Sequence, residues 1–348
     1  MLHNHERLDT MTAPTFTSEN RVDAFHRLGT AIPAGMTVAE AMTHAHMDNW
    51  NVRKQPLVAN VHGGLSEGFE DVPLAVRGKF VVVRDNPFTG RVQPLGIVGN
   101  KWTPFQNEAS TGLLTNIVDE SEAELSTVGV MDEGRKTFVS MRLPGHMEFI
   151  SPVTGEADRT DLYLTVFNTH DGTGAMSVVL SPVRVMCCNQ QRMTERHARS
   201  RFTLRHSGNA SAKMAEVRSL LGLTFKYQDT FAAECQAMID RELENEQVFA
   251  ALRDVFGVEG AKTEAQASRR TETASMVFEV YKQSDTVAPF RGTAFGAYNA
   301  VTEYADHYMR VRTRGGEEAE LDLRAARSLG SAAVSDLKAR AFDTLVGA

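Results

Sequence analysis

The sequence is poor in cysteine and in aromatic residues, and it has no long apolar run. Its cysteines are Cys187, Cys188 and Cys235, and no two of them form a CxxC pair. Neither a disulfide framework nor a cysteine zinc site is therefore expected. The first twenty residues are too polar for a secretory signal, and no later run is long enough to span a bilayer. These absences predict a cytoplasmic protein with no membrane partner.

Sequence motifs for nucleotide binding and for catalysis are also scarce. The stretches GTGAM and GGLSEG have neither the lysine of a P-loop nor the spacing of a dinucleotide fingerprint, so we expect no cofactor. A histidine beside an acid, as in His170 and Asp171, is a possible general base or metal ligand, but Asp-Gly is also a common turn pair. We therefore assign no catalytic residue. A metal-dependent hydrolase or nuclease that uses these two residues stays open as an alternative.

The composition is that of a globular protein. Hydrophobic residues make up 42% and charged residues 23% of 348 positions, which allows one large domain or two ordinary ones. The pattern of polar and apolar residues changes along the chain and predicts three parts. Residues 1–20 are expected to be disordered, residues 21–210 to form a β-rich α+β core domain, and residues 211–348 to form a helical region packed on that core.

The first half of the chain alternates between helix starts and β-rich runs. Thr37 and Glu40 have the spacing of a capping box and predict a helix start. Residues 51–99 read as short strands of a meander, with DNPFTG as a hairpin turn. Thr103 as a cap, Pro104 and Gln106 then predict a second helix that runs to about Glu120.

Six further strands and a series of helices follow. Strands are predicted at about 124–131 and 135–143, then in DLYLTVFNTH, in AMSVVLS and after Pro182, with RFTLRH as a further strand. From Ser211 onward apolar residues recur at helical spacing, and residues 294–308 predict a buried packing helix. The fold class is therefore α+β, with a central antiparallel β-sheet, flanking helices and a helical C-terminal part.

Six arginines are concentrated in residues 180–206. They face a single acid, Glu195, so this segment has a net charge of +5 in a chain of net charge -7. A segment whose sign opposes that of the chain favours an anionic partner, although carboxylates from elsewhere in the chain could also neutralise it. The six residues are Arg184, Arg192, Arg196, Arg199, Arg201 and Arg205.

The spacing of these arginines arranges them in a row. If residues 190–200 are helical, Arg192, Arg196 and Arg199 form one stripe, and if the following stretch is a strand, Arg199, Arg201 and Arg205 share a face. The planar guanidinium matches a phosphate with two hydrogen bonds, so we expect these residues to bind DNA phosphates. The neighbouring Asn189 is expected to be a hydrogen-bonding or a structural residue beside them. A second tier of candidates comprises Asn168, His170 and Asp171 on the hairpin, and Arg310, Arg312 and Arg314 near the C-terminus.

Four motifs in fixed order carry a family resemblance. LGTAIPAGMTVAEAM, PLGIVGNKWTPFQNEA, NTHDGTGAM running into SPVRVMCCN, and GTAFGAYNAVTEYADH resemble the landmarks of a phage- and plasmid-related family of unknown function. The match extends from about Leu28 to about His307. Where the family pattern has one cysteine and a threonine, this chain has Cys187 and Cys188.

The hairpin-strand-helix core of that family is similar to the core of the phage single-strand annealing recombinases of the RecT and Redβ kind. Those proteins form rings or helical filaments and pair complementary strands without ATP. The resemblance implies an ATP-independent protein that binds and anneals single-stranded DNA as a homo-oligomer. A structural interaction protein of a mobile element is the remaining alternative.

Overall fold

The computed structural model describes residues 29–62, 72–108, 114–115, 119, 122–174, 176–186, 189–190, 201–204, 226–313 and 317–347. Residues 189–190 and 201–204 are described through their backbone. Two antiparallel sheets occupy the first part of the chain, and helices occupy the second. None of the described helices is both long enough and apolar enough to cross a bilayer.

A short strand and a capped helix begin the described chain. Strand β1 (Thr30–Ala31) precedes helix α1 (Val38–His44). The Thr37 hydroxyl accepts the N–H of Glu40 at 3.3 Å, and the Glu40 carboxylate accepts the N–H of Thr37 at 2.9 Å. The backbone hydrogen bond from Thr37 is the largest cause of a lowered pKa for Glu40. The predicted capping box is therefore confirmed.

The predicted meander is confirmed as a three-stranded sheet, here called the small sheet. It consists of β2 (Arg53–Val61), β3 (Val72–Asp85) and β4 (Val92–Gly99) in that order. The turn between β3 and β4 is the predicted DNPFTG turn, where the Asn86 side chain accepts the N–H groups of Phe88 and Thr89. This is the turn chemistry expected of asparagine.

The central sheet contains the remaining strands. They are β5 (Glu124–Met131), β6 (Lys136–Arg142), β7 (Met147–Ile150), β8 (Ala157–Thr169), β9 (Met176–Arg184), β10 (Asn189–Gln190) and β11 (Arg201–Leu204). The order is β1-β5-β6-β8-β9-β10, with β11 also paired to β9 and β7 to β8. Antiparallel pairing throughout agrees with the predicted sheet.

Strand β9 runs through Pro182 to Arg184 instead of breaking there. Among the described residues, its second edge is paired at its two ends, where Val183 pairs with Gln190 and Val179 with Arg201. Pro182 has no N–H to donate, and it lies between these two short ladders. A proline is therefore tolerated inside this strand.

The C-terminal part is helical, as predicted. The helical residues 226–239 (α2) precede α3 (Asn245–Val255), α4 (Glu264–Gln283) and α5 (Ala294–Glu303). Helix α5 continues into a π-helical turn (Tyr304–Tyr308), and α6 (Glu317–Gly330) and α7 (Ala332–Gly347) follow. Every residue of α5 is buried, so the predicted packing helix is confirmed.

One hydrophobic cluster joins both sheets to the helices. It contains Val82 of the small sheet, Leu164 of the central sheet and Phe295 of α5. The α+β class with a helical C-terminal part is therefore confirmed. The expected boundary at residues 210 and 211 and the expected disordered segment 1–20 lie outside the described residues.

The helix predicted to start after Thr103 is wrong at its N-terminus. Residues 103–106 are not helical, and residues 114–115 are. The Gln106 side chain does not cap a helix, because its amide pairs with the backbone of Val52. Its Nε2 donates to the Val52 carbonyl at 2.6 Å, and its Oε1 accepts the Val52 N–H at 2.9 Å. A tertiary contact has thus replaced the local one.

Candidate nucleic-acid interface

Arg184, the first arginine of the predicted row, lies in the interior at the end of β9 and is 0% exposed. Its Nε and Nη2 donate to the two carboxylate oxygens of Asp158, each at 2.7 Å, and its Nη1 donates to the carbonyl of Thr286. The guanidinium also lies 5.1 Å from the centroid of the Phe290 ring. The expectation that Arg184 contacts phosphate is wrong, because a buried carboxylate of the same chain already satisfies it. This residue ties the central sheet to the helical part.

The segment that carries the other arginines is attached to one edge of the central sheet. Gln190 pairs with Val183, and Arg201 pairs with Val179. The segment therefore leaves the edge of β9 opposite Val183 and returns to the same edge opposite Val179, four residues away along β9. At the usual rise of a strand these two points are about 13 Å apart. The predicted strand at Arg201 is thereby confirmed for Arg201–Leu204.

The other members of the predicted row follow β9 in the chain. Arg192, Arg196, Arg199 and Arg205 lie outside the described residues, as do Cys187, Cys188 and residues 191–200 of the predicted helix, whose first residue, Gln190, lies on β10. Asn189 and Arg201 are placed by backbone on β10 and β11. The prediction that these arginines bind phosphate remains a prediction, with both ends of their segment fixed on β9.

His170 is buried, at the tip of the hairpin between β8 and β9. Its Nε2 lies 2.9 Å from Oδ1 of Asn107, and its ring centroid lies 5.7 Å from that of Trp50. The neighbouring Asn168 donates to the carbonyl of Phe105 at 3.4 Å, and Asn107 donates to the carbonyl of Met47 at 2.8 Å. These polar groups connect the hairpin to the loop before residue 108. Because His170 is fully buried, it cannot reach a substrate in solution as a general base.

Asp171 closes the hairpin turn. Its Oδ1 accepts the N–H of Thr173 at 2.8 Å and the hydroxyl of the same residue at 2.6 Å. This is an Asx turn, the role expected of an Asp-Gly pair. The turn packs on the small sheet so closely that a Cβ at Gly96 would lie 2.5 Å from the Asp171 carbonyl oxygen. The hairpin tip therefore fixes the small sheet against the central one.

The second predicted cationic cluster follows the π-helical turn. Arg310 and Arg312 are exposed, and Arg314 lies outside the described residues. An anion can reach both described arginines, which remain second-tier candidates for a DNA contact.

Clusters of metal-binding side chains and reactive cysteines are the other features that would indicate chemistry. Within the described ranges no cluster of three or more His, Cys, Asp or Glu side chains is arranged to hold a metal ion. Cys235 is buried, and its burial raises the pKa of the thiol well above its usual value. This cysteine is therefore protonated at neutral pH and is a poor nucleophile.

A second cationic region is found on the small sheet, which the arginine count of residues 180–206 did not reveal. Residues 51–101 contain seven basic and four acidic side chains, a net charge of +3 in a chain of -7. Three of the acids, Glu67, Glu70 and Asp71, fall in residues 63–71, outside the described residues. A count of charge for each predicted sheet would have found this region. The basic residues are Arg53, Lys54, Arg77, Lys79, Arg84, Arg91 and Lys101.

The family comparison covers the central sheet, the hairpin and most of the helices. A family model described as "Domain of unknown function (DUF932)" matches residues 94–328. The chain belongs to the DUF932 family. The DUF932 match begins at Pro94 of β4 and includes the hairpin motif NTHDGTGAM and the α5 motif, whereas LGTAIPAGMTVAEAM precedes it. Neither a curated protein nor a solved structure matches the chain.

Proposed function

We propose that this DUF932 protein binds single-stranded DNA and anneals complementary strands, without ATP and as a homo-oligomer, in a phage or another mobile element. One observation carries the proposal. A cationic segment begins and ends on the same edge of the central sheet. With Arg184 held by Asp158, five arginines remain against Glu195, a net charge of +4 over residues 191–205.

The proposed mechanism is electrostatic. Arg192, Arg196 and Arg199 neutralise phosphates and release counterions, which favours binding of any nucleic acid sequence. Phosphate contacts hold the strand by its backbone, so the base edges stay available to a complementary strand. The resemblance to the phage annealing proteins supports annealing as the consequence of such binding.

An exposed two-stranded ribbon supports assembly into an oligomer. Beyond the irregularity in the β2–β3 ladder at Pro56 and Val58, cross-strand neighbours pair Ala59 with Leu74 and Val61 with Val72 on one face. Leu74 is 50% exposed, and Val61 and Val72 are exposed as well. Native proteins rarely leave an apolar strand pair uncovered, so we assign this face to a contact with a second copy.

Fluorescence anisotropy with a labelled oligothymidylate at two NaCl concentrations tests the binding. We expect affinity that falls with salt and that is weakened by Arg196→Ala and by Arg199→Ala. Affinity that is unaffected by salt and by both substitutions would contradict the proposal. Two labelled complementary strands that pair no faster with protein than without it would remove the annealing activity and leave only binding.

The oligomer is tested by light scattering on the full chain. Leu74→Asn is expected to lower the mass of the particle, because it places an amide in the apolar face. Val92→Asn, at a site of similar exposure at the start of β4, is the matched control and should leave the mass unchanged. A wild-type chain that is monomeric at all concentrations would contradict assembly.

The alternative of a metal-dependent hydrolase or nuclease has weaker support. It needs His170 and Asp171 at a solvent-facing site, whereas His170 is buried and Asp171 is engaged in its own turn. Turnover that depends on divalent cations and is lost in Asp171→Asn would restore it. An interaction protein of a mobile element would form oligomers yet show no salt-sensitive affinity for DNA.

A further inference from the structure

Three lysine and arginine side chains are buried among the described residues, and two of them have a buried carboxylate as a partner. Arg184 pairs with Asp158 at 2.7 Å, and Lys338 pairs with Asp306 at 2.5 Å. The third, Arg84 near the end of β3, is 5% exposed, and no carboxylate of the described chain lies within ion-pair distance of it. Taking a charge out of water without a counterion is costly. Arg84 is therefore the one buried lysine or arginine of the described chain whose charge the chain itself does not balance.

The hydrogen-bond partners of Arg84 are neutral. Its Nε and Nη2 donate to Oε1 of Gln93 at 3.1 and 2.9 Å, and Nη2 also donates to the carbonyl of Glu133 at 3.2 Å. Its Nη1 donates to no atom of the described residues. Burial lowers the pKa of the guanidinium from its ordinary value, but an arginine stays protonated in a protein. The group thus keeps its full positive charge and one nitrogen with no acceptor in the described chain.

The guanidinium of Arg84 is held in place by its packing. Its Cζ lies 3.9 Å from the centroid of the buried Trp50 ring. Gly134 approaches it so closely that a Cβ at this position would overlap the guanidinium, and the φ of Gly134 is +96°. Only glycine accommodates both the contact and this backbone conformation. A donor that is already fixed in position loses little conformational freedom when it binds a ligand.

A second arginine lies beside Arg84 and is open to solvent. The N–H of Asn86 donates to the carbonyl of Arg91 at 2.9 Å, which extends the pairing of Arg84 with Gln93 toward the β3–β4 turn. Side chains alternate along a strand, so Arg91 is on the same face as Arg84 and Gln93, as a diagonal neighbour of Arg84 within reach of a long side chain. Arg91 is exposed, and within the described ranges no ion pair engages it. Asn86 and Gln93 are partly exposed, so this end of the ladder opens to solvent.

We infer that Arg84, with Arg91 at the rim, forms a binding site for a phosphate group at the turn end of the β3–β4 ladder. Arginine donors match the oxygens of a phosphate, and a free phosphate or a phosphate monoester carries a charge of about -1.5 to -2 at neutral pH. Two guanidinium groups balance that charge, whereas a carboxylate carries only one negative charge. The ligand is therefore either a free phosphate or the phosphorylated end of a DNA strand. The site does not depend on the arginine-rich segment on β9.

The fluorescence of Trp50 reports on the site, because its ring contacts the Arg84 guanidinium. The chain has two tryptophans, so Trp102→Phe in the full chain leaves Trp50 as the single emitter. Inorganic phosphate is titrated into this protein while NaCl keeps the ionic strength constant. We expect a saturable change in emission with half-saturation at about 1 mM or below. Acetate at the same ionic strength should give a much weaker response.

Substitutions in this background test which side chains bind phosphate. Arg91→Gln, at an exposed position, should weaken phosphate binding about tenfold, because a hydrogen bond between charged groups is lost. Lys79→Gln is the matched control, since it removes the same charge from an exposed position at the far end of the β3–β4 ladder, and it should change nothing. Arg84→Met should abolish the response, but it also removes interior contacts, so the comparison of Arg91→Gln with Lys79→Gln decides.

Competition with oligothymidylate identifies the source of the phosphate. Displacement of phosphate by a 5′-phosphorylated strand and not by its unphosphorylated form would support the site and assign it to a DNA end, whereas displacement by neither would assign it to a free phosphate. Equal displacement by both would contradict the preference for a doubly charged phosphate. A response that acetate or NaCl reproduces, or equal affinities in Arg91→Gln and Lys79→Gln, would overturn the site. The salt dependence of DNA binding is measured separately, so failure of the phosphate site leaves the proposed function standing.

Discussion

The guanidinium of Arg184 and the carboxylate of Asp158 meet through two hydrogen bonds of 2.7 Å inside the protein. Both side chains are buried, and Arg184 also reaches the carbonyl of Thr286 in the helical part. Arg184, which the sequence groups with a cationic row, therefore connects the central sheet to the helical part. The remaining arginines of that row carry the proposed contact with DNA.

Arg184→Met is expected to lower the free energy of unfolding by about 3–5 kcal/mol, because it leaves the Asp158 carboxylate buried without its partner. Urea denaturation of the purified chain measures this loss. Lys282→Met is the control, since the side chains of Lys282 and of its partner Glu279 are 41% and 47% exposed, and an exposed pair of this kind contributes about 1 kcal/mol or less. Equal losses in the two variants would show that the Arg184 pair does not stabilise the interior.

Gly96→Ala tests the junction between the two sheets. The added methyl would lie 2.5 Å from the carbonyl oxygen of Asp171, so backbone must move at a cost of about 1–3 kcal/mol. Gly99→Ala, on the same strand, meets nothing within 4 Å and should change stability by less than about 0.5 kcal/mol. Thermal unfolding of both variants provides the comparison. If Gly96→Ala is as stable as Gly99→Ala, the hairpin tip does not pack on β4 as described.

Cys235 should resist thiol reagents in the folded protein. Burial raises the pKa of its thiol, so the reactive thiolate is scarce at pH 8, and the side chain has no access to solvent. A variant with Cys187→Ser and Cys188→Ser isolates this residue for labelling with Ellman's reagent. We expect no label before urea is added and one label per chain afterwards. Rapid labelling of the folded variant would contradict the buried position.

Gln106→Ala tests the contact that replaces the predicted helix cap. The Val52 N–H and carbonyl would each lose a side-chain partner, at an expected cost of about 1–3 kcal/mol. Gln55→Ala, at an exposed position on β2, should be neutral. Denaturation curves measured under one set of conditions decide between the two outcomes. A neutral Gln106→Ala would mean that these hydrogen bonds add no net stability.

Patterns that depend on neighbours in the chain predicted much of the fold. The capping box at Thr37 is a contact over three residues, and the β3–β4 turn at Asn86 is equally local. The α5 helix was predicted from apolar residues at helical spacing, and it is buried. Local chemistry decides such features, so one sequence is enough to predict them.

Features that depend on distant partners were not predictable in the same way. Arg184 finds Asp158 across 26 residues, and Gln106 finds Val52 across 54. Nothing in the spacing of either residue indicates its partner, so a buried arginine was grouped with the other arginines of residues 180–206, and a tertiary contact was interpreted as a helix cap. The cationic region of the small sheet was missed for a similar reason. Its basic residues lie on β2, on β3 and beside the two ends of β4, and they become neighbours only when the small sheet forms.

The salt dependence of DNA binding tests the central claim most directly. Affinity for a labelled oligothymidylate is measured at several NaCl concentrations, for the wild type and for a variant with Arg192→Ala, Arg196→Ala and Arg199→Ala. The account predicts a slope that is smaller in magnitude by about 2 in the variant, from three lost phosphate contacts at about 0.7 each. Identical slopes for the two proteins, or no binding by the wild type, would contradict it.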